Sequence, residues 1–159
     1  MEAVPGDEDG TASGGGLPRT SAALDGASAS IADARRLAAD FLTSARTDYA
    51  LPIAQRALDI TQLVVSELVT NARKYAPGPV VLSLGIVGDM VEVAVWDSDP
   101  ALPTARAADP GRVGQHGLEI VHALAEDLRI RREAVGKRVT ALISYLDEPT
   151  GAESDGAPR

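Results

Sequence analysis

Apolar positions along this chain change their period several times, and each change marks an element. Arg19 to Leu24 reads as a short strand. Beyond it, Ile31, Ala34, Leu37, Ala38, Phe41 and Leu42 recur at three- and four-residue spacing, one apolar stripe on a helix. Ser28 or Ser30 stands where a cap would. A second stripe, Ile53, Ala57, Ile60, Val64, Leu68 and Ala72, predicts a longer helix running to about Ala76. Pro52 suits its first turn, and Pro77-Gly78 stops it. β-Branched residues then take over in Val80 to Val87 and Met90 to Asp97, and the link Gly88-Asp89 reads as a hairpin turn. Pro100 to Gly114 is Pro-, Ala- and Gly-rich and reads as irregular. A third helix is expected from Gly117 to about Leu128. Strands over Arg129 to Arg132 and Val139 to Leu146 follow, joined through Gly136-Lys137. The order β-α-α-β-β-α-β-β predicts an α+β fold, a two-layer α/β sandwich in which helices cover one face of a mixed sheet.

Composition narrows this picture. The chain has 159 residues, enough for one domain with a real core. Residues 1–16 form an acidic, Gly-rich leader and 147–159 a similar tail. Neither holds enough apolar surface to offset the entropy of ordering, so the folded unit is expected over 17–146. Aromatic residues make up only 3% of the chain, which leaves Ala, Val, Leu and Ile to build the core. A net charge of −8 argues against a nucleic-acid binder, which gathers Lys and Arg against phosphates. There is no cysteine, hence no disulfide or thiolate metal site. No apolar run approaches the length of a membrane helix, and the N-terminus is unlike a signal peptide. The expectation is a soluble cytoplasmic protein.

Three segments carry candidate chemistry. In Glu67-Leu-Val-Thr-Asn71-Ala-Arg-Lys74-Tyr75-Ala76, Glu67 and Asn71 are i and i+4 on a helix, and Lys74 follows Asn71 by three. Such positions share a face, so a carboxylate, an amide oxygen and an ammonium converge near a helix end. A magnesium nucleotide needs oxygen donors for the metal and a cation for phosphate. Taken alone, the segment also reads as a solvated polar face with an i,i+4 pair. In Val91-Glu-Val-Ala-Val-Trp96-Asp97-Ser98-Asp99-Pro100 an alternating strand ends in two acids. A carboxylate at the end of a buried strand can accept from an exocyclic amine such as that of adenine, and it can equally cap a turn. In Gly111-Arg-Val-Gly114-Gln-His116-Gly117-Leu118 glycines precede a helix whose free N–H groups can receive phosphate. His116 reads as a loop residue.

In this order, the Glu-x-x-x-Asn helix, the strand-ending Asp, the Gly-rich helix start and Gly-Lys before the last strand resemble the GHKL superfamily. That superfamily includes sensor histidine kinases, type II topoisomerases and heat-shock chaperone ATPases. Within it, the phrases Val-Ser-Glu-Leu-Val-Thr-Asn-Ala at Val65 to Ala72, Asp-Ser-Asp-Pro and Gly-Leu-Glu-Ile-Val are similar to the stand-alone anti-sigma-factor serine/threonine kinases of actinobacteria. The resemblance spans nearly all of 17–146 and implies a Bergerat-type ATP-binding fold with ATP and Mg²⁺ as cofactors. It implies that Asn71 binds Mg²⁺, that Glu67 orients or deprotonates the attacking hydroxyl, and that Lys74 approaches phosphate. Tyr75 would line the nucleotide pocket, Asp97 would hold the adenine amino group, and Gly114 and Gly117 would let a lid fold over the phosphates.

Two positions depart from the pattern. Asp99 stands where the superfamily often has Gly. Arg138 stands where a Thr near adenine is expected, and Thr140, two residues on and on the same strand face, is the candidate to replace it. The implied partners are a small anti-sigma-factor antagonist and/or a sigma factor. No direct nucleic-acid contact and no membrane are implied, and a homodimer is left open. The first reading is therefore an ATP-dependent protein serine/threonine kinase. The second, motivated by Asp99 and Arg138, is a non-catalytic, nucleotide-responsive protein-binding module of the same fold. A detached histidine-kinase catalytic domain comes third, because no dimerising phospho-acceptor helix pair precedes the fold.

Overall fold

The computed structural model of the protein describes residues 17–24, 29–75, 78–98 and 115–146. Among the described residues eight elements follow one another in the predicted order: β1 (Arg19–Leu24), α1 (Ala29–Asp48), α2 (Gln55–Tyr75), β2 (Val80–Val87), β3 (Met90–Asp97), α3 (Gln115–Leu124), β4 (Asp127–Arg132) and β5 (Lys137–Ser144). The leader 1–16, the tail 147–159, Ser28 and the stretch 99–114 lie outside the described residues.

The strands form one sheet in the order β1-β2-β3-β5-β4. The two-layer α+β architecture is as expected, but the sheet is antiparallel throughout and not mixed. The reason is topological. β3 and β4 run in the same direction with α3 between them, yet β5 turns back and inserts between the two. The crossover therefore produces no hydrogen-bonded parallel pair.

Strand pleating sends alternate residues to opposite faces. One face carries Val80, Leu82, Leu84 and Ile86 from β2, Val91, Val93 and Val95 from β3, and Val139, Ala141 and Ile143 from β5, all buried. These rows join Ala34, Ala38, Phe41 and Leu42 of α1, Val64, Leu68 and Ala72 of α2 and Val121 of α3 in a single core. The alanines on the helices supply little side-chain bulk, which suits a core with few aromatic residues. The opposite sheet face carries Arg19, Glu92, Trp96, Arg138 and Thr140. There Arg19 reaches across Gly85 to Glu92 at 3.5 Å, over a position where a Cβ would crowd the guanidinium.

Element ends depart from expectation where backbone groups find tertiary partners. Pro52 precedes α2 and does not occupy its first turn. The Leu51 N–H donates to Ala45 O, the Ile53 N–H to Leu51 O and the Ala54 N–H to Tyr145 O, so helical bonding begins only with Leu58 N–H to Ala54 O. Ser30 lies inside α1. α3 stops at Leu124 instead of Leu128. Glu126 N–H donates to Leu142 O at 2.7 Å, and Asp127 and Leu128 pair with Leu142 and Ala141, so the sheet claims residues whose local composition favours helix. β5 begins two residues early, at Lys137. The Gly88-Asp89 turn is as read: Gly88 has φ 61° while Asp89 is not in the positive-φ region, the II′ pattern that suits a twisted hairpin.

Candidate functional site

Topology gathers the motifs at one end of the sandwich. β3 ends at Asp97, which stands opposite Lys137, the first residue of β5. β4 ends at the same edge, where Arg132 pairs with Lys137. α2 delivers its C-terminus there as well: a few residues after Tyr75 the chain enters β2, and Val81 pairs with Trp96. Gly78 lies beside Ser98, since a Cβ on it would sit 3.5 Å from the Ser98 hydroxyl oxygen. α3 starts at this end too. Its last turn hands over to Asp127, whose partner Leu142 lies toward the far end of β5.

Asn71 stands one turn before the end of α2. It is only 4% exposed. A polar side chain so enclosed is informative in a way an exposed one is not, and this one stands at the helix end where the motifs gather. Glu67 is half-buried one turn earlier on the same face. Lys74 is exposed, at a place where a long side chain can swing toward an anion. Among the described residues no group of three or more His, Asp and Glu could hold a metal. A magnesium ion here would draw on the Asn71 oxygen together with phosphate and water oxygens, the usual habit of this ion. Asn71, a buried amide near the end of α2, fits that role.

Asp97 is 1% exposed and accepts from the Lys137 ammonium at 3.0 Å, and Lys137 is itself 1% exposed. The sequence reading missed Lys137, which it took as part of a turn. Its phase was the available signal: Lys137, Val139, Ala141 and Ile143 alternate into the buried row, and a lysine in that row needs a carboxylate opposite. The turn before it is fixed on both faces of the sheet. Gly136 has φ 80°, and a Cβ there would overlap the Asp97 carbonyl, so only glycine lets the turn settle onto the end of β3. On the other face Trp96 Nε1–H donates to Val135 O at 2.8 Å, and Arg138 Nε–H donates to Glu133 at 2.9 Å.

The remaining expected residues fall in different places. Thr140 is a correction. It pairs with Ala94 and Arg129, three positions from Lys137 and therefore on the opposite sheet face, so its hydroxyl does not join Asp97. Arg138 lies on that same outer face. Tyr75 is the last residue of α2, and its side chain lies outside the described residues. Gly114 lies outside them entirely, as does Asp99. Gly117 is the third residue of α3.

The family described as histidine kinase-like ATPase domain matches residues 27–143. No curated protein matches. Among solved structures, the chain is similar to the histidine kinase domain of the Erythrobacter litoralis EL346 blue-light activated histidine kinase. Identity is 23% and the TM-score 0.43, over 56% of this chain and 45% of that one. The aligned part thus spans less than half the length of that structure.

Proposed function

This chain belongs to the histidine kinase-like ATPase domain family, and on that premise we propose that it is an ATP-binding regulatory protein akin to anti-sigma-factor serine/threonine kinases. It binds ATP at the end of the sandwich where α2, β3, β5 and α3 meet, and transfers phosphate to a small anti-sigma-factor antagonist or sequesters a sigma factor in the cytoplasm. The observation that carries this reading is Asn71, a buried amide at the helix end that converges with Asp97.

Phosphoryl transfer asks a protein chiefly for positioning and for compensation of charge. Magnesium, when bound, supplies the charge compensation on the phosphates. Asn71 offers it an oxygen, and Lys74 offers the phosphates a cation. Asp97 accepts from the exocyclic amine of adenine, with Tyr75 beside the base. The free N–H groups at the start of α3, near Gly114 and Gly117, favour an anion. Glu67 takes the proton of the attacking serine or threonine hydroxyl as its oxygen bonds to the γ-phosphorus and ADP leaves. Thr140 has no part in this arrangement.

Titration calorimetry tests the reading. The wild type is expected to bind ATP more tightly with Mg²⁺ than with a chelator, and Asn71→Ala to lose that difference. Mg²⁺-linked binding that survives intact in Asn71→Ala rejects the role of Asn71. ATP retention without transfer of labelled γ-phosphate to any candidate antagonist would place the chain as a passive nucleotide-responsive module.

A further inference from the structure

Trp96 and Asp97 are consecutive residues at the end of β3, so strand pleating sends them to opposite faces of the sheet. Asp97 is buried in the site. Trp96 is half-buried on the outer face, where its Nε1–H donates to the Val135 carbonyl at 2.8 Å. Val135 belongs to the turn between β4 and β5, which Glu133 N–H closes by donating to Gly136 O at 2.9 Å. That turn comes back onto β3: a Cβ on Gly136 would overlap the Asp97 carbonyl oxygen and lie 2.9 Å from the Ser98 Cα. The contacts close a ring. It runs from the Asp97 main chain to Gly136, through Val135 to the Trp96 indole, and along β3 back to Asp97.

The tip of this turn is not held by burial. Val135 is 66% exposed, the most exposed large hydrophobic side chain among the described residues. The β3–β5 ladder ends at Asp97 and Lys137, so the tip also lies beyond strand pairing. The Arg138–Glu133 pair at 2.9 Å ties the β4 side of the turn to β5, and the indole ties its tip to β3.

Resting on the nucleotide reading above, we infer that Trp96 is a positioning residue for the base end of the nucleotide site. From the sheet face that the site does not occupy, its indole holds the Glu133–Gly136 turn against the end of β3. It thereby fixes the main chain that presents Asp97. A hydrogen bond depends on direction as well as distance, so slack at this strand end weakens the contact to the base while every group of the site stays in place. Trp96 acts through Gly136 and Asp97 and touches no nucleotide itself.

The test uses the full chain. Trp96→Phe keeps an aromatic ring and removes the N–H. Its ATP affinity by calorimetry is expected to fall about two- to tenfold, the net worth of one hydrogen bond. The fall should be the same with Mg²⁺ and with a chelator, because Asn71 on α2 lies outside the ring of contacts; a general loosening of the fold would shrink the Mg²⁺ effect as well. Coupling between two binding equilibria is reciprocal. ATP should therefore slow amide exchange at Glu133 by a similar factor in the wild type, and Trp96→Phe should lose that slowing. The wild-type exchange measurement stands by itself if the variant does not fold. A folded Trp96→Phe with wild-type ATP affinity overturns the inference, and so does a loss confined to the Mg²⁺ condition. Glu133 exchange that ATP leaves unchanged in the wild type overturns it too. A wild type that binds ATP while these results fail sinks only this inference, whereas a wild type that binds no ATP sinks the nucleotide reading with it.

Discussion

Glu67 and Asn71 stand one turn apart on one face of α2, and they differ in burial. Asn71 is enclosed, while Glu67 is half-open to solvent, as the general-base role proposed for it requires. Glu67→Gln is nearly isosteric and leaves Asn71 in place, so fold and most ATP affinity should persist. An amide cannot take the serine proton, and a positioned general base typically contributes about 10²–10⁴-fold. Single-turnover transfer from labelled ATP to an antagonist should slow by that order. Robust transfer by the variant would remove Glu67 from the mechanism. If the chain is a passive module, wild type and variant will be equally inactive while both still bind their partner.

At the scale of elements, the ends carry the information. α1 closes with Ala50 in the left-handed region at φ 54° and with Leu51 N–H donating back past it to Ala45 O at 3.2 Å; left-handed residues at helix stops are usually glycine. A residue with a Cβ is strained there by about 1–2 kcal/mol, and glycine returns part of that as lost chain entropy. Ala50→Gly should therefore raise stability by about 1 kcal/mol, read as a higher urea midpoint at unchanged slope. A lower midpoint would mean that the Cβ of Ala50 contributes packing worth more than the strain. The short α3 makes the complementary point. Its final residues are drawn into β4 because pairing with β5 satisfies backbone groups that another turn of helix would leave facing the sheet edge.

For the whole molecule, the decisive feature is that the core and the site divide one sandwich between them. The apolar rows fill the interior from the Gly88 turn upward, and the same rows continue at the other end into Asp97 and Lys137. None of the described helices is long and apolar enough to cross a membrane. A ligand that binds the folded chain alone stabilises it by mass action, about 2.7 kcal/mol at a hundredfold excess over Kd, or roughly 10 °C for a domain of this size. Mg²⁺ and ATP together should raise the melting temperature by that order. Asn71→Ala should keep only the part seen with ATP and a chelator. Equal shifts in the two proteins would argue that the metal is held elsewhere.

Helix stripes, the hairpin at Gly88-Asp89 and the element order were legible in the sequence, because hydrophobic period and turn chemistry are local properties of neighbouring residues. The Glu67–Asn71–Lys74 face was legible for the same reason, since helix geometry alone places i, i+3 and i+4 together. What the tertiary structure decided depends on partners distant in the chain. The start of α2 after Pro52 and the end of α3 before Glu126 were settled by Tyr145 and Leu142, whose carbonyls accept backbone N–H groups from those segments. The insertion of β5 between β3 and β4 made the sheet antiparallel, a matter of register that no local pattern specifies. The same register turned Lys137 inward onto Asp97 and Thr140 outward, because strand phase is a parity: one residue of offset exchanges the face that meets the site for the face that does not.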